Sequence, residues 1–335
     1  MPGQKIFQKC VFFSILNCWA GVSLANPQVP IFAAELSDNI SQYCETNNCL
    51  THHLDNQTLT NIIAEHPESL SLQEALNLSE YEILVGSVVL DVDTNPEVVL
   101  EITTSWRGIP IDEINLSQKL NNAPDNQMVY EASAQVLANW VEHIQHFHVL
   151  DAELIYKTIG ASNYEQELSL PSRIGDFELE QRALYRDPLQ GSIARYTHPK
   201  FANAIVDISV YPVSPFTHAT DVPDTDLMAA ELDVEKQQLL ALVNQAGITD
   251  YEISDIKLTQ LGTAEQSLQG VILEVKLESD VEPVYSTQYL FKKGDKFVKL
   301  TGNFPNLLMQ SVVEQSIAAI QVPPESEFMR SMRKG

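Results

Sequence analysis

Positive charge is scarce in this sequence. It contains 20 lysine and arginine residues against 45 aspartate and glutamate residues, which gives a formal net charge of −25 at pH 7. A surface with such an excess of carboxylates repels phosphate backbones and anionic lipid headgroups. The composition therefore argues against nucleic-acid binding and is compatible with cationic partners or with simple solubility.

Cysteine is also scarce. Only four cysteines occur, and two of them fall within the first 25 residues. The other two, Cys44 and Cys49, form a close pair that predicts a disulfide in an oxidising compartment. The chain must turn between them, because residues five apart on a helix are separated by about 7.5 Å of rise. A metal site that includes His52 and His53 is the alternative, although zinc sites usually have tighter cysteine spacing.

Long apolar stretches are lacking after residue 25. The first 25 residues start with lysines, continue with an apolar run from Val11 to Leu16, and end in Ser23-Leu24-Ala25. This order is typical of a secretory signal peptide over residues 1–25. We expect cleavage after Ala25, a periplasmic or secreted location, and a soluble mature protein with no membrane-spanning segment. Lipidation of Cys18 is the alternative, but small residues do not precede that cysteine.

Recognisable catalytic motifs are missing as well. The sequence has no Gly-x-Ser-x-Gly elbow, no glycine-rich phosphate loop and no Cys-His signature. A Ser-x-x-Lys match at Ser331 to Lys334 falls in the C-terminal tail, where we expect no function. A triad built from residues distant in sequence stays possible. We therefore expect a protein without a cofactor, and a binding function rather than catalysis.

What is present is the composition of a globular protein, with 44% hydrophobic residues. The mature length suits two domains, which we place at residues 26–165 and 166–324, followed by a loose tail at 325–335. Helices do not alternate one for one with strands, so the fold class should be α+β with antiparallel sheets.

The hydrophobic pattern of the first half predicts two helices and three strands. The expected helices are Asn56 to Glu65 and Asn126 to Phe147, and the expected strands are Tyr81 to Val92, Glu97 to Trp106 and Val149 to Ile159.

The second half predicts an antiparallel sheet with one helix inside the strand order and one after it. In one strand Val206, Ile208 and Val210 alternate with Asp207 and Ser209, which indicates one buried and one wet face. The expected strands are Phe177 to Tyr185, Ser192 to Thr197, Ala204 to Tyr211, Tyr251 to Leu261, Val271 to Glu278, Val284 to Phe291 and Lys296 to Thr301; the expected helices are Asp226 to Ala246 and Asn306 to Gln321.

This order of elements resembles the PsbP-like fold. The similar parts are Ala204 to Tyr211, the hairpin Tyr285 to Thr301 that leads into Asn303-Phe304-Pro305, and the terminal helix. No functional motif accompanies the resemblance, so no functional residue carries over. The resemblance implies an accessory or ligand-binding module more often than an enzyme.

Three histidines close in sequence form the main candidate metal site. His143, His146 and His148 have spacings of three and two, which could present several imidazoles to one metal ion. The His-Glu-x-x-His pattern of metalloproteases is absent, and histidines also suit the last turn of a helix. These histidines therefore have two interpretations. They either have a structural role at the end of a helix, or they bind the metal ion of a hydrolase that uses the His143/His146 region.

A second candidate metal site is the turn that contains Asp91, Asp93 and Asn95, whose spacing matches the start of a calcium loop. Such a loop requires glycine at its sixth position and glutamate at its twelfth, where this sequence has Pro96 and Ile102. A hairpin turn is the better interpretation.

Four arginines concentrate where positive charge is otherwise rare, and they could bind an anionic ligand. Acidic residues lie among them in equal number, so surface ion pairs are the alternative explanation. The four candidates are Arg173, Arg182, Arg186 and Arg195.

These observations favour an exported accessory protein that binds an unidentified partner or small ligand without catalysis. The rival hypothesis is the metal-dependent hydrolase.

Overall fold

The computed structural model describes residues 30–51, 54–65, 81–121, 123–215, 222–263, 266–278 and 282–334. The proposed signal peptide and the histidines at positions 52 and 53 lie outside these residues. The chain divides into two compact units, with the boundary between Ile159 and Gly160. The sequence predicts this boundary after residue 165. Residues 160–165 group with the second unit, where the Tyr164 carbonyl accepts a hydrogen bond from Arg182.

The first unit is a five-stranded sheet with helices. The sheet order is β1-β3-β4-β5, with β2 also paired to β3, and all pairs are antiparallel except β1 with β3. Its elements are β1 (Ile31–Ala33), α1 (Asp38–Thr46), β2 (Leu50–Thr51), α2 (Asn56–Glu65), β3 (Tyr81–Leu90), β4 (Glu97–Trp106), β5 (Ile109–Lys119), α3 (Asn126–His146) and α4 (Ala152–Ile159).

Most of these elements follow the sequence pattern. The helix α3 begins where Asp125 accepts a hydrogen bond from the Met128 amide, and it buries Val136 and Trp140. The predicted strand Val149 to Ile159 is wrong. Ala152–Ile159 is the helix α4, because a short apolar run does not distinguish a strand from a buried helical turn.

The second unit is a nine-stranded sheet in which every pair is antiparallel. Its order is β10-β12-β13-β14-β9-β8-β7-β6, with β11 paired to β12. Its elements are α5 (Tyr164–Glu167), β6 (Arg173–Ile174), β7 (Phe177–Leu184), β8 (Ser192–His198), β9 (Phe201–Pro212), α6 (Asp224–Gln245), β10 (Tyr251–Ile253), β11 (Lys257–Thr263), β12 (Gln266–Leu277), β13 (Val284–Lys293), β14 (Lys296–Gly302), α7 (Asn306–Ser316) and α8 (Glu327–Met332).

The two long helices of this unit contact side chains that point in opposite directions from the strand β14. Lys299 of β14 pairs with Glu235 of α6, whereas a side chain at Gly302 would meet Met309 of α7. The predicted buried series on β9 is confirmed, since Val206, Ile208 and Val210 are almost fully buried. The α+β class with an antiparallel C-terminal sheet is thus established.

The C-terminal tail is the largest departure from the sequence prediction. Residues 325–335 were expected to be loose, but α8 buries Phe328 and Met329. The prediction failed because the apolar pair occupies less than one helical turn, which is too short to show a period. The Ser326 side chain accepts a hydrogen bond from the Met329 amide and caps the helix. Within the described residues no helix combines the length and apolar character needed to cross a membrane.

Candidate functional site

A cleft of about 490 Å³ lies in the C-terminal unit, beside the turn between β13 and β14. This volume falls in the usual range of small-molecule sites. The turn provides one wall and the chain around α8 provides the other. The lining residues are Gly294, Asp295, Val322, Pro323, Pro324, Glu325 and Arg333.

A buried lysine supports Asp295 in one wall of the cleft. Lys296 is fully buried, and its ammonium donates hydrogen bonds to both carboxylate oxygens of Asp295, at 2.7 and 2.6 Å. Burial lowers the pKa of Lys296, and the charge of Asp295 partly opposes this shift. The pair therefore has no spare charge to offer a ligand.

The second wall carries Arg333, which follows the last turn of α8. Its Nη1 pairs with Glu325 and lies 3.6 Å from Asp295, and its Nη2 donates to the Val213 carbonyl at 2.9 Å. The side chain is 9% exposed, and its Nε has no hydrogen-bond partner among the described residues. An unpaired buried donor costs free energy, so this Nε–H of a cleft-lining residue has unused hydrogen-bonding capacity.

Local sequence explains how the first wall is held. Gly294 adopts a left-handed backbone with φ of 59°, which permits the tight turn between the strands. Lys293, just before it, donates to the Ile317 and Ile320 carbonyls at 2.6 and 2.7 Å. Those carbonyls follow the end of α7, where a cation is favourable. Burial lowers the pKa of Lys293.

The hydroxyl of Tyr164 belongs to the same electrostatic network. Burial raises the pKa of Tyr164, and the negative charge of Asp295 adds to the shift. Groups with perturbed pKa values that surround a cleft are characteristic of functional sites, although structural ion pairs produce the same signal. Here the Arg333–Asp295 ion pair, at 3.6 Å, and the hydrogen bond from Lys296 to the Pro324 carbonyl connect the segment around α8 to the turn.

A second polar cluster lies where α6 covers β9 and β14. Glu235 and Lys299 form a buried ion pair with N···O of 2.5 Å, and the Lys299 ammonium lies 5.7 Å from the Tyr211 ring centroid. Burial, followed by the charges of Glu231 and Glu235, raises the pKa of Tyr211 well above its ordinary value. Burial also raises the pKa of Glu231, as does the nearby Glu235. Lys299 neutralises the charge of Glu235 in this cluster, so we place the candidate ligand site at the cleft.

The four predicted arginines do not share a common partner in the structure. Arg173 pairs with Glu178 at 3.4 Å, and Arg182 donates to the carbonyls of Tyr164 and Leu168. Arg195 makes a two-bond contact with the carboxylate of Asp207, with 2.8 Å for each bond, and Arg186 is exposed. Three of the four guanidinium groups are thus engaged by protein oxygens, and none lines the cleft.

The three predicted histidines also have separate contacts. His143 lies 3.1 Å from a carboxylate oxygen of Asp112, and His146 packs edge-on against Phe147. His148 has a positive φ of 54° and contacts Asp151 at 2.9 Å. Over the described part of the chain, no group of three or more His, Cys, Asp or Glu side chains is arranged to hold a metal ion.

The predicted disulfide is confirmed, since Cys44 and Cys49 are bonded with Cα atoms 5.4 Å apart. Hydrogen bonds connect the disulfide-bonded loop to the turn that follows β3. Tyr43 donates to Asp91 at 3.0 Å, and Asn48 donates to the side chain of Asp93.

Those two aspartates are the residues considered for a calcium loop. Each accepts a hydrogen bond from a side chain of the disulfide region, and Asp91 has a positive φ of 51°. The segment is the turn between β3 and β4, as the hairpin interpretation predicts.

Sequence reasoning missed the residues of the cleft. The run Lys292-Lys293-Gly294-Asp295 was interpreted only as a hairpin turn, Lys296 as the start of the following strand, and Arg333 as part of the tail. One usable signal was present, because Arg333 follows shortly after Phe328 in a segment that contains three basic residues, Arg330, Arg333 and Lys334.

Comparison with known proteins adds little. No protein-family model matches the chain, and no curated protein matches it. Among solved structures, the cyanobacterial PsbP (CyanoP) of Synechocystis sp. PCC 6803 is 11% identical, with 47% of this chain and 92% of that chain covered and a TM-score of 0.29. The T6SS immunity protein TplEi of Pseudomonas aeruginosa is 12% identical, with 72% and 74% covered and a TM-score of 0.27. At these TM-scores neither similarity bears on function.

Proposed function

We propose that this chain is an exported accessory protein that binds a small ligand in the cleft without transforming it. The observation that supports the proposal is the Nε–H of Arg333, a buried donor without a partner at the wall of a cleft of ligand size. The ligand should carry an oxygen acceptor, such as a carboxylate or a carbonyl, that accepts from this donor. Export itself is inferred from the N-terminal sequence, and the Cys44–Cys49 disulfide is consistent with it.

The charges around the cleft favour binding over chemistry. Lys296 is paired with Asp295, and the Arg333 Nη1 is paired with Glu325. A general base must accept a proton, and a nucleophile must attack the substrate. Ion pairs of this kind oppose both steps, because they stabilise each side chain in its charged, paired state. We favour binding over the metal-dependent hydrolase, because no group of three or more His, Cys, Asp or Glu side chains in the described part of the chain is arranged to hold a metal ion.

The test is a ligand screen with the mature protein and two arginine variants. Small carboxylates, keto acids, amides and sugars are tested by thermal shift and then by calorimetry. Arg333→Lys keeps the positive charge but removes the Nε–H donor, so it should weaken binding at least tenfold. Arg330→Lys alters an exposed arginine of α8, three residues before Arg333, and should leave binding unchanged.

Circular dichroism of both variants shows whether α8 and the rest of the fold are intact. Ligands that bind both variants equally would contradict the assignment of the cleft. Turnover of a bound ligand, detected by mass spectrometry, would contradict the non-catalytic proposal.

A further inference from the structure

The strand β5 forms a long edge of the N-terminal sheet as described. It spans Ile109–Lys119, and among the described strands it pairs only with β4. The other strands at sheet edges are shorter: β1, β2, β6, β10 and β11 have between two and seven residues. Proteins usually keep edges short or obstructed, because unpaired N–H and C=O groups accept a further strand.

The hydrogen bonds at the end of β5 show which backbone groups face outward. The Leu120 amide donates to the Pro96 carbonyl at 2.8 Å, so position 120 points toward β4. Antiparallel pairs alternate between bonded and non-bonded residues, so every second position from there also points toward β4. The N–H and C=O groups of Glu113, Asn115 and Ser117 therefore face away from β4.

The accessible part of this edge begins at Glu113. Pro110 lacks an amide hydrogen and Ile111 is buried, so the first residues of β5 are poorly suited to a new strand. From Glu113 to Lys119 the residues are exposed or half-buried. This leaves an open edge that contains no proline, and its only lysine is the last residue.

Charge indicates what kind of strand fits this edge. Glu113 of β5 lies on the same face of the sheet as Glu97 and Glu101 of β4. Asp112 lies on the opposite face, beside His143. Lys119 is the only lysine or arginine on the two strands. A second copy of this acidic chain would be repelled. A strand with lysine or arginine at alternate positions would face the carboxylates of β4 and β5.

We propose that the β5 edge, from Glu113 to Lys119, binds an extended basic segment of another protein by strand addition. The backbone of the segment pairs with the outward groups at positions 113, 115 and 117, and its basic side chains lie over the acidic sheet face. This is an interaction surface in the N-terminal unit, separate from the cleft and independent of the ligand proposed for it.

The test uses a short acetylated and amidated peptide of alternating lysine and valine, titrated into the mature protein by calorimetry. The variant Asn115→Pro removes one outward amide hydrogen and leaves the bonds to β4 in place, so it should weaken binding at least tenfold. The control Asn115→Ala keeps the amide and should bind within about twofold of wild type.

Two further peptides separate strand pairing from simple attraction to a protein of charge −25. The same peptide with an N-methyl group on every residue keeps its charge but has no amide hydrogen on either edge, so it cannot pair, and it should bind at least tenfold more weakly. A glutamate–valine peptide should not bind. Equal binding of the methylated peptide, or of the acidic peptide, would overturn the proposal. Self-association of the protein that Asn115→Pro abolishes would also overturn it, since the occupant would then be a second copy.

Discussion

The buried ion pair between Glu235 and Lys299 gives the sharpest stability prediction. Glu235 is 5% exposed, and its second carboxylate oxygen has no hydrogen-bond partner among the described residues. Lys299→Met would leave this carboxylate buried without its cation. Breaking a buried pair in this way costs about 3–5 kcal/mol, which corresponds to roughly 6–20 °C in melting temperature for a unit of this size.

A double variant tests the physical reason for that loss. Glu235→Leu together with Lys299→Met replaces both charges with apolar side chains, so no buried charge is left unpaired. We expect its stability to lie within about 1 kcal/mol of wild type or above it. As a matched control, Lys292→Met removes a lysine that pairs with the exposed Asp224, and it should cost less than about 1 kcal/mol.

The assay combines circular dichroism with tryptophan fluorescence on the mature protein. Trp106 and Trp140 both lie in the N-terminal unit, so fluorescence reports that unit while circular dichroism reports both. Lys299→Met should shift the dichroism transition and leave the fluorescence transition in place. A loss below about 1 kcal/mol for Lys299→Met would refute the argument, because the pair would then be solvated.

Three further predictions concern other sites. Removal of the disulfide by Cys44→Ser with Cys49→Ser should lower the free energy of unfolding by about 2 kcal/mol in urea titrations, and a larger loss would show a role beyond loop closure. Folding raises the pKa of Glu231, so its charged form destabilises the fold above the unfolded pKa near 4.5. Glu231→Gln should therefore raise the melting temperature at pH 8 and not at pH 4; an equal effect at both values would contradict this. Val210→Asp should unfold the C-terminal unit, because Val210 is fully buried, whereas Ser209→Asp should cost less than about 1 kcal/mol.

The sequence predicted the elements whose periodicity is long and regular. The helix α3 and the hairpin of β13 and β14 appear close to the expected limits. The expected strand Tyr251 to Leu261 is divided into β10 and β11, because the chain leaves the sheet between them. The strand β5 was missed, since Pro110 and the polar residues that follow hide its alternation.

The candidate site could not be predicted in the same way. The sequence directed attention to residues of one type that lie close together, such as His143 and His146. The cleft instead joins Asp295 to Arg333, which are far apart in sequence and meet only after α8 packs on the sheet. Single-sequence patterns contain local periodicity, and they do not contain the tertiary contact that makes Arg333 part of a cleft.

Ligand binding in the cleft is measured most directly by the side-chain Nε–H signal of Arg333 in a proton–nitrogen NMR spectrum. This donor has no partner among the described residues. A ligand from the screen that binds in the cleft should shift the Arg333 signal in proportion to occupancy, with the Arg330 signal unchanged. Saturating ligand that leaves the Arg333 signal in place would contradict the account.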